Sequence, residues 1–457
     1  MKVKVISRNV QDYVRETKHD IHKVPRNIDP KLHPLRIPRE YQRALNAVKM
    51  DKIFAKPFLF SLHGHVDPVE CLMKHPKSLS TLVSGAFDGT IKIWDLMHRK
   101  CHKTIQAHEG AVRDLCSPNH GKYFYSVGDN TVIKQWKMIP KACSSKELEE
   151  EDDDEDSSDK PLTSIVAKTN IIGIDHHIKK PLFVTCGESI DLWDESRPSS
   201  LKTYKPSIDS TYKIKFNPIE SELFACAGSD RSIILFDSRQ NEHIRKVILA
   251  MRSNNLAWNP MEAFHFTVAN EDHNLYTFDM RQMNEPMSAH LDHVAAVIDL
   301  DYSPTGKEFV AGSYDKTLRI FPENRIHSRE VYHTKRMQRM TSVLWTLDSK
   351  YIICGSDEMD IRVWKAKASE KLGPKMLREE LSMRYQEKLK ETFGSHPEIK
   401  RIARHRHVPK HIYHGKKEKE SMINAIKRKE ANRRAHSKPG TVPKLSVKEK
   451  AVVKEIE

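Results

Sequence analysis

Ser84-Gly85-Ala86-Phe87-Asp88-Gly89-Thr90-Ile91-Lys92-Ile93-Trp94-Asp95 is the stretch that decides the fold of this chain. Ile91 and Ile93 alternate with polar neighbours as in a half-buried strand, and Asp88-Gly89 ahead of them supplies a tight turn that admits positive φ. The strand closes on Trp94, and that closure recurs along the chain. Strands end on Trp94, Trp136, Trp193, Phe236, Phe278, Phe321 and Trp364, at intervals of 42, 57, 43, 42, 43 and 43 residues. A repeat of about 40 to 45 residues is the period of a four-stranded propeller blade. One such sheet cannot bury both faces alone, so successive sheets must pack around a common axis. The expected fold is all-β: a seven-bladed β-propeller over 59–365, with basic, partly helical arms at 1–58 and 366–457.

The wording of the first repeat, with Gly64-His65 upstream of the serine, the turn aspartate and the tryptophan, resembles the WD40 repeat. That resemblance implies a buried hydrogen-bonded tetrad of His65, Ser84, Asp88 and Trp94. The second repeat retains His108, Asp129 and Trp136, and the sixth retains His293, Ser313 and Asp315 with Phe321 closing. Repeats four and five close on Phe236 and Phe278, rings that pack but cannot donate a hydrogen bond. The third has Gly187-Glu188-Ser189 where the turn aspartate belongs, although Ile190-Asp191-Leu192-Trp193-Asp194 restores the strand. A buried carboxylate and imidazole are tolerated when paired, so these groups read as structural clamps rather than catalytic triads.

Composition narrows the function. No apolar run approaches the roughly 18 residues that a membrane span needs, and Met1 to Val10 carries Lys2, Lys4 and Arg8 with no apolar core behind them. Cytosol or nucleus is the expected compartment. The seven cysteines are scattered without CxxC spacing, which favours packed, reduced thiols over disulfides or zinc. Glycine-rich phosphate loops, nucleophile elbows and metal-ligand spacings are not found in the sequence, so neither an enzyme nor a cofactor is expected.

Charge is distributed unevenly. Residues 1–50 carry 12 Lys/Arg against 5 Asp/Glu and residues 366–457 carry 25 against 12, which leaves 51–365 at −5 within a total of +15. Clustered positive charge at both ends is the footprint of nucleic-acid binding, because each neutralised phosphate releases counterions. The long interval of 57 residues holds an acidic insert at about 143–161, with ten acids between Glu147 and Asp159. Such a run repels itself and is expected to be a disordered loop.

In the C-terminal arm, Met376, Leu377, Leu381, Tyr385, Leu389 and Phe393 recur mainly in four-residue steps between Pro374 and Gly394. That spacing predicts an amphipathic helix over 375–393, expected to dock within the chain near the base of the propeller. Beyond it, Arg401, Arg404, Arg406 and Lys410 alternate with His405, His407, His411 and His414, followed by Lys416 and Lys417. Phosphate and base contacts suit this mixture better than a metal, since no thiol or carboxylate cluster completes a site. A second run, Lys427-Arg428-Lys429-Glu430-Ala431-Asn432-Arg433-Arg434, is similar both to a nuclear localisation signal and to an RNA-binding helix.

The flanks also carry a more specific resemblance. Arg8-Asn9, Tyr13, Arg15-Glu16-Thr17, Val24-Pro25-Arg26-Asn27, Asp29-Pro30, Leu32-His33-Pro34, Arg39-Glu40-Tyr41, Arg43-Ala44-Leu45-Asn46-Ala47 and Phe54-Ala55-Lys56-Pro57-Phe58, with the C-terminal basic block, resemble the nucleolar WD40 proteins of the suppressor-of-fibrillarin family. The resemblance implies a non-catalytic scaffold of the small-subunit processome in pre-rRNA processing and 18S rRNA maturation. Its implied partners are pre-ribosomal RNA and small nucleolar ribonucleoprotein proteins, and its implied place is the nucleolus. In animals the family is also described as a substrate receptor of a cullin-RING ubiquitin ligase. Receptors of that type dock their adaptor through an aromatic-Asp-x-Arg blade end, which two consecutive repeats carry as Phe236-Asp237-Ser238-Arg239 and Phe278-Asp279-Met280-Arg281. A third, Trp193-Asp194-Glu195-Ser196-Arg197, misses by one position. The competing reading of Asp237, Arg239, Asp279 and Arg281 is an arginine paired to the nearby aspartate at a blade corner.

Overall fold

A computed structural model of the chain describes residues 35–138, 160–206, 209–438 and 440–456. Residues 1–34 and nearly all of the acidic insert lie outside them. Two units are described separately: residues 56–368 with 406–457, and residues up to 55 with 369–405.

Each repeat folds into a four-stranded antiparallel sheet, and the described residues hold seven of them. The first contains strands Val69–Lys74, Thr81–Ala86, Thr90–Asp95 and Lys100–Gln106, paired in chain order. Gly89 lies in the turn between its second and third strands at φ +79°, and a Cβ there would come within 2.1 Å of the His108 carbonyl oxygen. Both the dihedral and the close approach demand glycine. The ring closes because the seventh sheet takes Phe58–Leu62, from its own N-terminal end, as the partner of Ile361–Lys365. Phe58 meets Trp364 edge-on at 5.4 Å, so this residue, assigned above to the N-terminal arm, belongs to the last sheet.

All seven closing aromatics lie on third strands and are buried. Phe183 stands directly opposite Trp193, Phe224 opposite Phe236, Phe266 opposite Phe278 and Phe309 opposite Phe321. These pairs stack with ring centroids 6.1, 5.2, 5.7 and 5.5 Å apart. In these four sheets the ruler in the sequence is a row of cross-strand ring pairs, each adding interaction to the area it buries, whereas Trp94 faces Leu82 and Trp364 faces Ile352.

Innermost strands link neighbouring sheets through acids. Asp114 accepts the backbone N–H of Ile174 at 3.2 Å, Asp175 that of Phe216 at 2.7 Å, Asp299 that of Val343 at 2.6 Å and Asp301 that of Trp345 at 2.8 Å. Lysines complete the arrangement: Lys213 pairs with Asp114 at 2.9 Å, Lys215 with Asp175 at 3.0 Å and Lys74 with Asp301 at 3.1 Å. These groups line a central channel of about 800 Å³. Burial pushes Asp299 up to about 6.

Helix α1 (Arg36–Ile53) buries Ala44, Leu45, Ala47 and Val48. Helix α2 (Leu377–Phe393) buries Leu389, and α3 (Pro397–Arg404) buries Ile399. Ala44, Leu45, Val48, Leu389 and Ile399 form one small core, with Tyr41, Phe393 and Ile402 against it. Tyr41 donates to Glu398 at 2.7 Å and Lys390 pairs with Asp51 at 2.6 Å around that core. The helix predicted over 375–393 thus starts at Leu377 and docks on α1. Leu377, Leu381 and Tyr385 of its apolar stripe stay exposed.

The region 366–457, read as one arm, divides between the two units. Its second part holds α4 (Lys410–Ala435), α5 (Val447–Ala451) and a final strand, Val452–Ile456. That strand joins the fourth sheet as a fifth member beside His243–Leu249.

Candidate functional site

The first clamp forms largely as expected. Trp94 Nε1 donates to Ser84 Oγ at 2.8 Å, and His65 Nε2 shares a hydrogen bond of 2.6 Å with the same oxygen. Asp88 reaches the imidazole through Thr90, whose hydroxyl donates to the carboxylate at 2.6 Å and lies 3.5 Å from His65 Nδ1. Burial pushes His65 down to about 4, so the ring is neutral at physiological pH.

The second clamp corrects the sequence reading. His108 and Trp136 meet at Ser126 Oγ, at 2.8 and 2.9 Å, and His108 Nδ1 faces Asn130 Oδ1 at 3.1 Å. Asp129 is exposed and pairs with Arg113. The turn thus presents Asn130 inward, and an amide in place of a carboxylate holds a neutral imidazole without burying a charge. In the sixth repeat His293 pairs with Asp315 at 3.0 Å, while Ser313 donates to the carbonyls of Ala295 and Ala296 at 3.0 and 2.9 Å. Ser313 is therefore a backbone clip, and with Phe321 closing the sheet there is no indole N–H to receive.

A signal that the sequence reading missed accounts for the four closing tryptophans. Each of their indoles has an acceptor. Trp94, Trp136 and Trp364 find theirs ten residues upstream, in Ser84, Ser126 and Cys354, and Trp193 finds Thr185 eight residues upstream, across a shorter turn.

The two Asp-x-Arg corners differ. Asp279 holds Arg281 bidentately, at 3.2 and 2.9 Å, and the guanidinium lies 4.2 Å from the centroid of the Phe264 ring. The corner pairing is realised there. At the other, Asp237 accepts only the backbone N–H of Arg239 at 2.9 Å, and the Arg239 side chain is 71% exposed with Glu222 4.0 Å away. One arginine is committed and the other is presented.

The basic residues of the C-terminal region also divide. Arg406 and Lys416 converge on Asp292, at 3.3 and 3.8 Å, and Arg406 also donates to Ser328 Oγ at 3.1 Å. Asp292 is buried and further receives Ser328 N–H and Oγ at 2.8 and 2.7 Å, His327 at 3.0 Å and Arg319 at 3.9 Å. Burial alone would raise its pKa, but the Ser328 bonds and Arg319 outweigh it and hold the carboxyl near 2. Ile412 is buried, and Lys419 Nζ donates to the His293 carbonyl at 3.3 Å. The first turns of α4 are thus fastened to the ring, and Arg406 serves that fastening rather than the RNA contact expected of it. Arg401 and Arg404 on α3, and Lys410, Lys417, Lys427, Arg428, Lys429 and Arg433 on α4, are exposed, with Arg434 partly so.

Among the described residues one group has metal-ligand spacing: Glu262, His265 and Glu323. His265 Nδ1 lies between the two carboxylates, 3.3 Å from Glu323, and Asn259 donates to Glu323 at 3.0 Å. An imidazole flanked by acids is a sufficient ion pair, and no metal is assigned.

With this geometry in hand, comparisons place the chain among known proteins. Residues 366–452 match the Sof1-like domain, and four stretches between 56 and 365 match the WD domain, G-beta repeat. The chain is 57% identical over 453 residues to "DDB1- and CUL4-associated factor 13" of Gallus gallus and 56% identical over 453 residues to that of Homo sapiens, each alignment covering 99% of both chains. It is 46% identical over 415 residues to the Dictyostelium discoideum protein of the same name, covering 90% of each. Among solved structures, the WD40 beta propeller domain of Doa1 superposes with a TM-score of 0.54 at 18% identity, covering 68% of this chain and 96% of that one. That last likeness concerns the fold.

Proposed function

Because the chain belongs to the family of DDB1- and CUL4-associated factor 13, which joins a WD40 propeller to a Sof1-like domain, we propose that it is a non-catalytic nucleolar scaffold of the small-subunit processome, acting in pre-rRNA processing and 18S rRNA maturation. One observation carries this reading: α4 is fastened to the ring at Asp292 while Lys427, Arg428, Lys429 and Arg433 remain in solvent. A rigid ring holding a basic helix at a set place is the device of a ribonucleoprotein scaffold, with the ring's surfaces left for protein partners. Replacing Lys427, Arg428, Lys429, Arg433 and Arg434 by glutamine should weaken binding to pre-ribosomal RNA. The salt slope should become shallower by up to about 4 units, since each lost phosphate contact removes about 0.7 to 0.9. An unchanged slope rejects the electrostatic part of the proposal.

A second reading, substrate receptor of a cullin-RING ligase, is favoured by the exposure of Arg239 and by the name its relatives bear. It predicts that Arg239→Ala alone removes most of the adaptor binding, because Arg281 is already engaged by Asp279. Retained co-purification of the adaptor with Arg239→Ala/Arg281→Ala overturns the assignment of these corners.

A further inference from the structure

The fourth sheet differs from the other six in having a fifth strand. Its outer strand, His243–Leu249, has seven residues, whereas Lys202–Tyr204, Ser288–His290 and Glu330–Tyr332 have three each. The other seven-residue outer strand, Lys100–Gln106, is largely exposed and carries Lys100 and Lys103. Short edges and edges with exposed lysines resist pairing with other chains, whereas this long edge ends in Val247-Ile248-Leu249 and its one lysine, Lys246, is buried and held by Asp230 at 2.8 Å. This edge is covered by the chain's own C-terminal strand, in register Lys246 to Ile456, Val247 to Glu455, Ile248 to Lys454 and Leu249 to Val452.

The tail has few apolar contacts, beside polar bonds from Lys448 to the Met287 carbonyl and from Lys450 to Glu430. Ala451 is its one buried side chain, 3% exposed, in the hydrophobic cluster that also holds Leu249, Trp258, Met283 and Ala289. Val452 packs at the margin of that cluster, and Val453 is 64% exposed. Ala250 N–H donates to the Ala451 carbonyl at 2.9 Å, and Arg245 pairs with Glu455 at 3.2 Å. Residues 443–447 ahead of it are exposed, and Gly440 at φ +88° has no atom within 4 Å of its Cβ position. A few ladder bonds, three side-chain polar bonds at the surface and one buried alanine give a local opening energy below that of the ring.

We propose that the His243–Leu249 edge is a strand-accepting docking site for an extended segment of a partner protein, and that the chain's C-terminal strand is its resident, displaceable occupant. The occupant shows what the site selects: a small residue for the Ala451 pocket, an aliphatic residue one position on, and an acid four positions on for Arg245. Ladder bonds supply affinity and the three side-chain requirements supply selectivity, as in other cases of strand addition. Arg245 also donates to the Arg281 carbonyl at 2.9 Å, so the acid end of the segment lies beside the second Asp-x-Arg corner. The proposal stands independently of the ribosomal and ligase readings.

The test uses a fluorescein-labelled peptide of residues 446–456 and the full-length protein, read by fluorescence anisotropy. The wild-type tail competes at an effective concentration on the millimolar scale, so wild type should bind the peptide at least about tenfold more weakly than full-length Ala451→Glu, in which the tail's own anchor no longer fits. A chain ending at Leu445 should behave like Ala451→Glu, which guards against a folding defect peculiar to either. Peptides carrying Ala451→Glu should not bind, and peptides carrying Glu455→Ala should bind more weakly. Equal binding to wild type and both variants, no binding to any of them, or indifference to the Ala451→Glu change in the peptide overturns the proposal.

Discussion

Ser126 is a single hydroxyl on which two buried groups depend. It receives the Trp136 indole N–H and bonds His108, so Ser126→Ala leaves polar atoms of both without a partner at a cost of about 1 to 3 kcal/mol. Asp129→Ala, at the residue named from the sequence, removes one exposed pair with Arg113 and should cost less than about 1 kcal/mol. Chemical denaturation of the two variants decides which residue belongs to the clamp. Asp292 gives a pH signature. Its carboxyl is held near 2 in the fold, below the unfolded value, so its contribution is present above about pH 4 and disappears as pH falls through about 2. The stability difference between wild type and Asp292→Asn, measured across that range, should shrink by about 2 kcal/mol. A pH-independent difference contradicts the hold of Ser328 and Arg319 on this carboxylate.

At the scale of elements, apolar spacing decides whether a segment becomes a helix, and its partner decides which residues are buried. Helix α2 follows the four-residue steps of its sequence, yet Leu389 is its one buried residue, with Phe393 packed beside Tyr41 at the margin of the core. The spacing of Tyr41, Ala44, Leu45 and Val48 in α1 carries the same helical signal, although the sequence reading took this region for its charge and its family resemblance alone. Leu389→Asp places an unpaired charge in this small core and should cost about 3 kcal/mol. Hydrogen exchange is the appropriate readout, with protection lost over 36–53 and 369–405 and retained in the sheets. Uniform loss of protection excludes an independent helical core. The indole acceptors were legible as well, because the ten-residue offset is a property of the hairpin joining second and third strands.

For the whole molecule, ring closure couples the two ends of the propeller. Leu62, 2% exposed, belongs to a cluster that includes Leu344, Ile353, Ile361 and Val363 of the last sheet and Trp94 of the first. Leu62→Asp should therefore destabilise the ring as a unit by about 3 to 5 kcal/mol. A single lowered thermal transition is the expected result, and a separate early transition confined to the seventh sheet argues against cooperative closure.

The sequence by itself determined the period, the seven sheets and the aromatic residue that closes each third strand, because these follow from strand alternation and turn chemistry inside a window of about 45 residues. It also located the basic residues, whose charge requires no fold to be counted. Tertiary structure alone decided which of those charges are available: Arg406 is drawn to Asp292, more than a hundred residues earlier, and Arg281 is held by its neighbour while Arg239 is not. It alone placed Asn130 rather than Asp129 against His108, since the direction of one turn residue depends on the backbone around it. And it alone brought the last strand to the fourth sheet, because a free edge comes into being only after the chain has folded to make it.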